Sequence, residues 1–138
     1  METYYLQECL YEELIQHCQT CLPYEACGFI AGENNIISGI YPLVNEAKTV
    51  NRFFVRKEIV HQTLLDITNA NKQVLAVYHS HPSTHPHPSQ LDLYHHPDDH
   101  LGMVILSFQS TIPTIKWYKI TNKTSTSCSL VILKEDHS

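Results

Sequence analysis

The chain has 138 residues, with nine lysines and arginines against fourteen aspartates and glutamates, for a formal net charge of −5. That length predicts one domain over residues 1–138, and 43% hydrophobic residues support a packed core over disorder. An acidic balance without a basic run argues against nucleic acid or an anionic membrane surface as partner. The acidic N-terminus lacks the basic start of a signal peptide, and no apolar run reaches the roughly 18 residues of a membrane span, so a cytoplasmic protein is expected. Five irregularly spaced cysteines in such a chain are expected to stay reduced, without a disulfide framework.

Leu6, Cys9, Leu10, Leu14, Cys18 and Cys21 recur every three or four residues, which predicts a helix over about residues 6–20, ended by Pro23. The apolar run 26–31, the turn residues 32–35 and the extended stretch 36–44 read as a β-hairpin. Ile59, Val60, Leu64, Ile67 and Ala70 predict a second amphipathic helix over 56–71, leading into a buried strand over 74–79. Residues 80–88 hold three prolines and three histidines and form a constrained loop, because each proline removes a donor and restricts the residue before it. Ser89 is placed to cap a short helix over 90–94, a turn follows at 97–100, and strand-like runs lie at 103–108, 115–120 and 128–133. Helices alternating with strands at the start and strands clustering at the end predict an α/β or α+β sandwich.

Histidine is the unusual count: ten in all, seven of them between His79 and His100. His79 and His81 lie where a buried strand runs out into a loop, and residues two apart on an extended backbone face one side, so both imidazoles can reach one ion. The full spacing is His-x-His-x7-Ser-x2-Asp, ending at Asp92. Two imidazoles and a carboxylate suit zinc and leave its fourth position to water, the ligand count of a hydrolytic site rather than a structural one. Such a site needs a base. Glu25, just before the apolar strand, is the stronger candidate and Glu46 its competitor, while the Ser89 hydroxyl could hydrogen-bond an oxyanion.

These residues resemble the JAMM (MPN-plus) zinc isopeptidases and peptidases. The matching parts are Glu25-Ala-Cys-Gly28 and His79-Ser-His-Pro82 with Ser89 and Asp92 at the family spacing, and Asn45 with Phe53 or Phe54 looks like the small prokaryotic members. The resemblance spans roughly residues 6–120. It implies the MPN/JAB fold, which is cytidine-deaminase-like, with a mixed, curved sheet flanked by helices. It further implies His79, His81 and Asp92 as ligands of one Zn2+ per chain with a catalytic water, Glu25 as general acid/base and Ser89 as oxyanion stabiliser. The implied partner is the C-terminal tail of a ubiquitin-like or sulfur-carrier protein, cut after Gly-Gly. A homodimer is left open, as is a non-catalytic, zinc-stabilised binding scaffold in which His85 or His87 closes the site.

The bland readings claim the remaining features. His85, His87, His95, His96 and His100 read as a solvated rim rather than as substrate contacts or an auxiliary metal site. Metal storage by that loop is a third possibility, which predicts several weakly held ions. Cys18-Gln-Thr-Cys21 has no second CxxC and falls on the apolar helix face, so it reads as core, as do Cys27, Tyr78 and Trp117. A nucleobase deaminase is excluded, since its His-x-Glu followed by Pro-Cys-x-x-Cys is absent.

Overall fold

Two paired asparagines show how the local chemistry of this chain sets its strand order. Asn34 and Asn35 both adopt positive φ, 52° and 65°, in the two-residue turn of a hairpin, the backbone that matches the right-handed twist of the strands it joins. The computed structural model describes residues 2–47, 49 and 54–135; Phe53 lies outside them. The hairpin strands are β2 (Cys27–Glu33) and β3 (Ile36–Leu43), preceded by β1 (Thr3–Gln7) and α1 (Glu8–Cys21). After them come α2 (Lys57–Asn69), β4 (Gln73–His81), α3 (Gln90–His95), β5 (Gly102–Ser107), β6 (Thr114–Thr121) and β7 (Thr124–Leu133). A second positive-φ pair, Asn122 and Lys123, makes the β6–β7 turn in the same way.

The strands form one mixed sheet in the order β1-β3-β2-β4-β5-β6-β7, which curls until β1 closes it against β7. β4 runs parallel to β5, and β1 runs parallel to both β3 and β7, while the other pairs are antiparallel. Leu14 and Cys18 of α1 pack into one face with Leu6, Ile30, Tyr78, Leu106 and Trp117, and Tyr4 stacks on the Trp117 indole at 3.9 Å. The opposite face carries α2, through Ile59, Val60 and Ile67 against Phe29 and Val77, and α3, through Leu93 against Met103, Ile105 and Tyr118. Fully burying such aliphatic and aromatic side chains is worth about 1.5–3 kcal/mol each, so these two faces hold the sheet in its curved form.

The expected curved sheet with flanking helices is therefore present, and the structure adds details at its margins. β1 was not expected. Leu6, assigned to the helix by spacing, is a buried strand residue, and Cys9 is exposed rather than on the apolar face. Strand β4 runs two residues farther than expected, so that Ser80 and His81 are ladder residues paired with Leu106 and Ser107. Cys18 is core as expected, Cys21 is half-buried with Sγ 3.7 Å from His17 Nε2, and all five cysteines are free thiols. Among the described residues no helix is long and apolar enough to cross a membrane.

Candidate metal centre

Alternation along β4 decides which side chains reach the site. Val77 faces the α2 side and Tyr78 the α1 side, so His79 and His81 continue the Val77 face and Ser80 the Tyr78 face. Ser80 uses that position to join β4 to the start of β2: its hydroxyl accepts from Ala26 N at 2.8 Å and its amide donates to Ala26 O at 3.0 Å. Glu25 is thereby held beside the histidine strand. Gly28 serves the same pairing, since a Cβ there would lie 2.4 Å from the Tyr78 ring.

Asp92 arrives from the far end of the proline-rich loop on α3. The helix is short and is started by a capping box: Ser89 Oγ accepts from Asp92 N at 3.0 Å, and Asp92 Oδ2 accepts from Ser89 N at 2.9 Å. The reciprocal bonds fix the Asp92 carboxylate. Ser89 is thus a helix cap in this structure, with its oxygen bonded to a backbone amide and its hydroxyl hydrogen left to donate.

The three expected ligands come together. His79 Nε2 lies 3.2 Å from His81 Nε2, and each is 3.1 Å from Asp92 Oδ2. A tetrahedral ion with arms of about 2.0–2.1 Å has ligand-to-ligand edges of about 3.3–3.4 Å, so the triangle has the size of one zinc face. The tautomer agrees. His81 Nδ1 is 2.8 Å from the His85 carbonyl oxygen, which can only accept, so Nδ1 carries the hydrogen and Nε2 of the neutral ring presents a lone pair to the triangle. Electron pairs converging on one buried point call for a cation. With no ion between them, the same three groups perturb one another's titration as hydrogen-bonded charges. For Asp92, burial pushes the carboxyl upward, but hydrogen bonds from His79 and His81, the charge of His79 and the Ser89 amide prevail and hold it far below the usual range. For His81, burial opposes charging, yet the bonds to Asp92 and His85 and the charges of Asp92 and Glu25 raise it. Among the described residues no other histidine, cysteine or carboxylate joins these three.

Glu25 is 4% exposed, and its Oε1 is buried without a hydrogen-bond partner among the described residues. Burial, then the charge of Asp92, pushes its carboxyl up to about 7, with His81 working the other way. Asn45 supports it from behind: Nδ2 donates to Glu25 O at 2.8 Å while Oδ1 accepts from the amides of Ala47 and Phe54. The competitor, Glu46, also lines the cleft and also has a buried Oε1 without a partner among the described residues. Its Oε2, however, is bound by Arg56 Nε at 3.0 Å, whereas Glu25 is the one whose carboxyl feels the charges of Asp92 and His81. Beside the centre runs a cleft of about 820 Å³, walled by Phe29, Phe54, Val60, Val77 and Leu91 and bordered by His79 and Asp92. His95 and His96 reach its edge, and His85 and His87 are exposed on the loop before α3. The exposed His100, expected on the same rim, lies instead at the opposite end of the sheet beside Gln73, Trp117 and Lys119. The expectations at Glu25, His79, His81 and Asp92 thus meet in one place, with Ser89 at its border. Spacing alone did not disclose the His85 carbonyl or the Asn45 side chain as supports, because the first is a backbone atom and the second acts across a loop.

Comparison with known proteins follows the geometry. A family model described as prokaryotic homologs of the JAB domain matches residues 7–119. No curated protein matches the chain. Among solved structures, a protein from Desulfitobacterium hafniense superposes with a TM-score of 0.87 at 24% identity, covering 99% of this chain and 96% of that one. One from Salinibacter ruber gives 0.71 at 20% identity over 96% and 92%. A JAB1/MPN domain protein from Archaeoglobus fulgidus gives 0.63 at 14% identity over 96% and 100%. These likenesses establish the shared fold, and the family match runs from the end of β1 through the whole candidate centre to β6. The chain belongs to the prokaryotic JAB-domain family.

Proposed function

We propose that the chain is a zinc-dependent peptidase or isopeptidase of the JAMM type, acting in the cytoplasm after the C-terminal Gly-Gly of a ubiquitin-like or sulfur-carrier protein. The observation that carries the proposal is a three-ligand set with no fourth protein ligand among the described residues, next to a buried glutamate whose Oε1 has no partner. A closed structural site would have used a fourth side chain. Bound there, zinc would supply a Lewis acid and lower the pKa of a coordinated water towards 7.

The chain's own groups supply the rest. Glu25, with its carboxyl near 7, takes a proton from the attacking water at Oε1 and returns it to the leaving amine, a poise that suits both transfers at neutral pH. Ser89 directs its free hydroxyl hydrogen at the developing oxyanion while its oxygen stays bonded to Asp92 N. The apolar cleft receives the substrate tail. A protein tail also suits a chain of charge −5 better than nucleic acid or a membrane surface. The test is to incubate the zinc-loaded protein and Glu25→Gln with ubiquitin-like carriers bearing C-terminal extensions, following release by mass spectrometry. Cleavage after Gly-Gly should fall about 10²–10⁴-fold in the variant, with zinc still bound. Equal rates in both proteins, or no cleavage of any carrier by the parent, would overturn the proposal.

A further inference from the structure

Three consecutive carbonyls of the loop after β4 each accept a hydrogen bond from a buried side chain on a different strand. Ser107 Oγ of β5 donates to Thr84 O, His81 Nδ1 of β4 donates to His85 O, and Tyr118 Oη of β6 donates to Pro86 O. The direction at Ser107 is set by Gln109 N, which donates to the same hydroxyl at 3.2 Å and leaves its one hydrogen for Thr84. Ser107 is 2% exposed and Tyr118 4%, whereas Ser83, Thr84, His85, His87 and Ser89 are all exposed. An exposed segment is therefore fastened from beneath by the barrel.

The segment needs that fastening. Pro82, Pro86 and Pro88 have no amide hydrogen to donate, and its internal backbone bond runs from His87 N to His85 O at 2.9 Å. The middle carbonyl of the three is the one that sets the His81 ring. If it shifts, Nδ1 loses its acceptor, the imidazole can exchange tautomers, and the Nε2 lone pair no longer points steadily at His79 and Asp92. The same segment leads into Ser89, so its position also sets where α3 begins.

We propose that Ser107 and Tyr118 are positioning residues of the metal centre, which fix the His85 carbonyl from either side and through it the orientation and tautomer of His81. Ser107 is the ladder partner of His81, but the Ser107 hydroxyl bonds Thr84 O and Gln109 N and the Tyr118 hydroxyl donates to Pro86 O, not to a ligand atom, and neither is part of the reaction. The proposal rests on the reading of His79, His81 and Asp92 as metal ligands, and its test separates the two. Tyr118→Phe and Ser107→Ala each remove one hydroxyl while leaving the strands their residues.

For the metal-free parent and both variants, the side-chain nitrogen resonances of histidine are recorded in alkaline buffer, with His81 assigned by its loss in His81→Asn. The parent should show His81 as a single Nδ1–H tautomer, and each variant a mixture. Zinc affinity, measured by competition with a chromophoric chelator, should fall about 10–100-fold in each variant. Co2+ loaded in place of zinc should show a weakened tetrahedral d–d band. These readings are taken below each protein's melting transition, so that unfolding does not contribute. A single unperturbed tautomer with parental zinc affinity in both variants and in the double variant would overturn the proposal. Failure of the parent itself to bind zinc would refute the metal reading, and the metal-free tautomer measurement would still decide the role of the two hydroxyls.

Discussion

Glu25 is where function and stability pull apart. A carboxyl is moved from an ordinary value of 4.5 up to about 7, by burial first and by the charge of Asp92 second, with His81 offsetting part of it. Between those two values the unfolded chain releases a proton that the folded chain keeps, so stability falls as pH rises through the interval, and the full penalty is present above it. Glutamine at position 25 has the same shape and no charge to bury. The metal-free Glu25→Gln protein should therefore be more stable than the metal-free parent by roughly 1–3 kcal/mol at about pH 8, with the gap closing as pH falls towards about 4.5. Urea unfolding at both ends of that range checks it. A gap of equal size at both ends, or none at the alkaline end, would mean that Glu25 is not a buried acid under strain. Stabilisation combined with lost hydrolysis is the pattern expected of a residue kept for chemistry.

At the scale of elements, α3 carries Asp92 with very little holding it in place. It is six residues long and buries none of them fully, far short of the length at which a helix persists on propensity alone. The capping box has to do what packing does elsewhere. Ser89→Ala removes one of the two reciprocal bonds and should cost about 1 kcal/mol of helix stability, which loosens Asp92 and weakens zinc binding by several-fold. Ser89→Asn, an equally good cap, should restore the affinity. Titration with zinc against a chelator distinguishes the cases, and equal losses in both variants would indicate that the cap is not what positions Asp92. This helix was legible from the sequence because Ser-x-x-Asp states its own start, and the His-x-His pair was legible because strand alternation is a fixed geometry. Strand β1 was not. It passes from Gln7 directly into α1 at Glu8 with no glycine or proline between, and Leu6 happens to continue the helical spacing. Its partners are remote in sequence: Tyr5 pairs with Ile36 on one side and Val131 on the other. The fastening of the histidine loop by Ser107 and Tyr118 was hidden for a related reason, since it ends on backbone carbonyls that carry no residue signature.

For the whole molecule the ligand set has an uneven geography. Two ligands lie on β4, a central strand bonded to β2 and β5, and the third lies on α3, whose contact with the barrel core runs through Leu93. A metal ion would therefore tie the least anchored element to one of the best anchored. Binding to the folded state alone stabilises it by about 2.7 kcal/mol at a free concentration 100 times the dissociation constant, so zinc should raise the melting temperature, and Asp92→Asn should abolish the rise. Hydrogen exchange should show where the gain originates. At early labelling times the barrel strands are protected with or without metal, because their amides lie in ladders on both sides. Residues 82–95 should be the segment that slows most when zinc is added, and should remain fast in Asp92→Asn. Protection spread evenly over the chain at those times, or confined to the exposed histidines of the rim, would place the tight site somewhere other than the His79, His81 and Asp92 triangle.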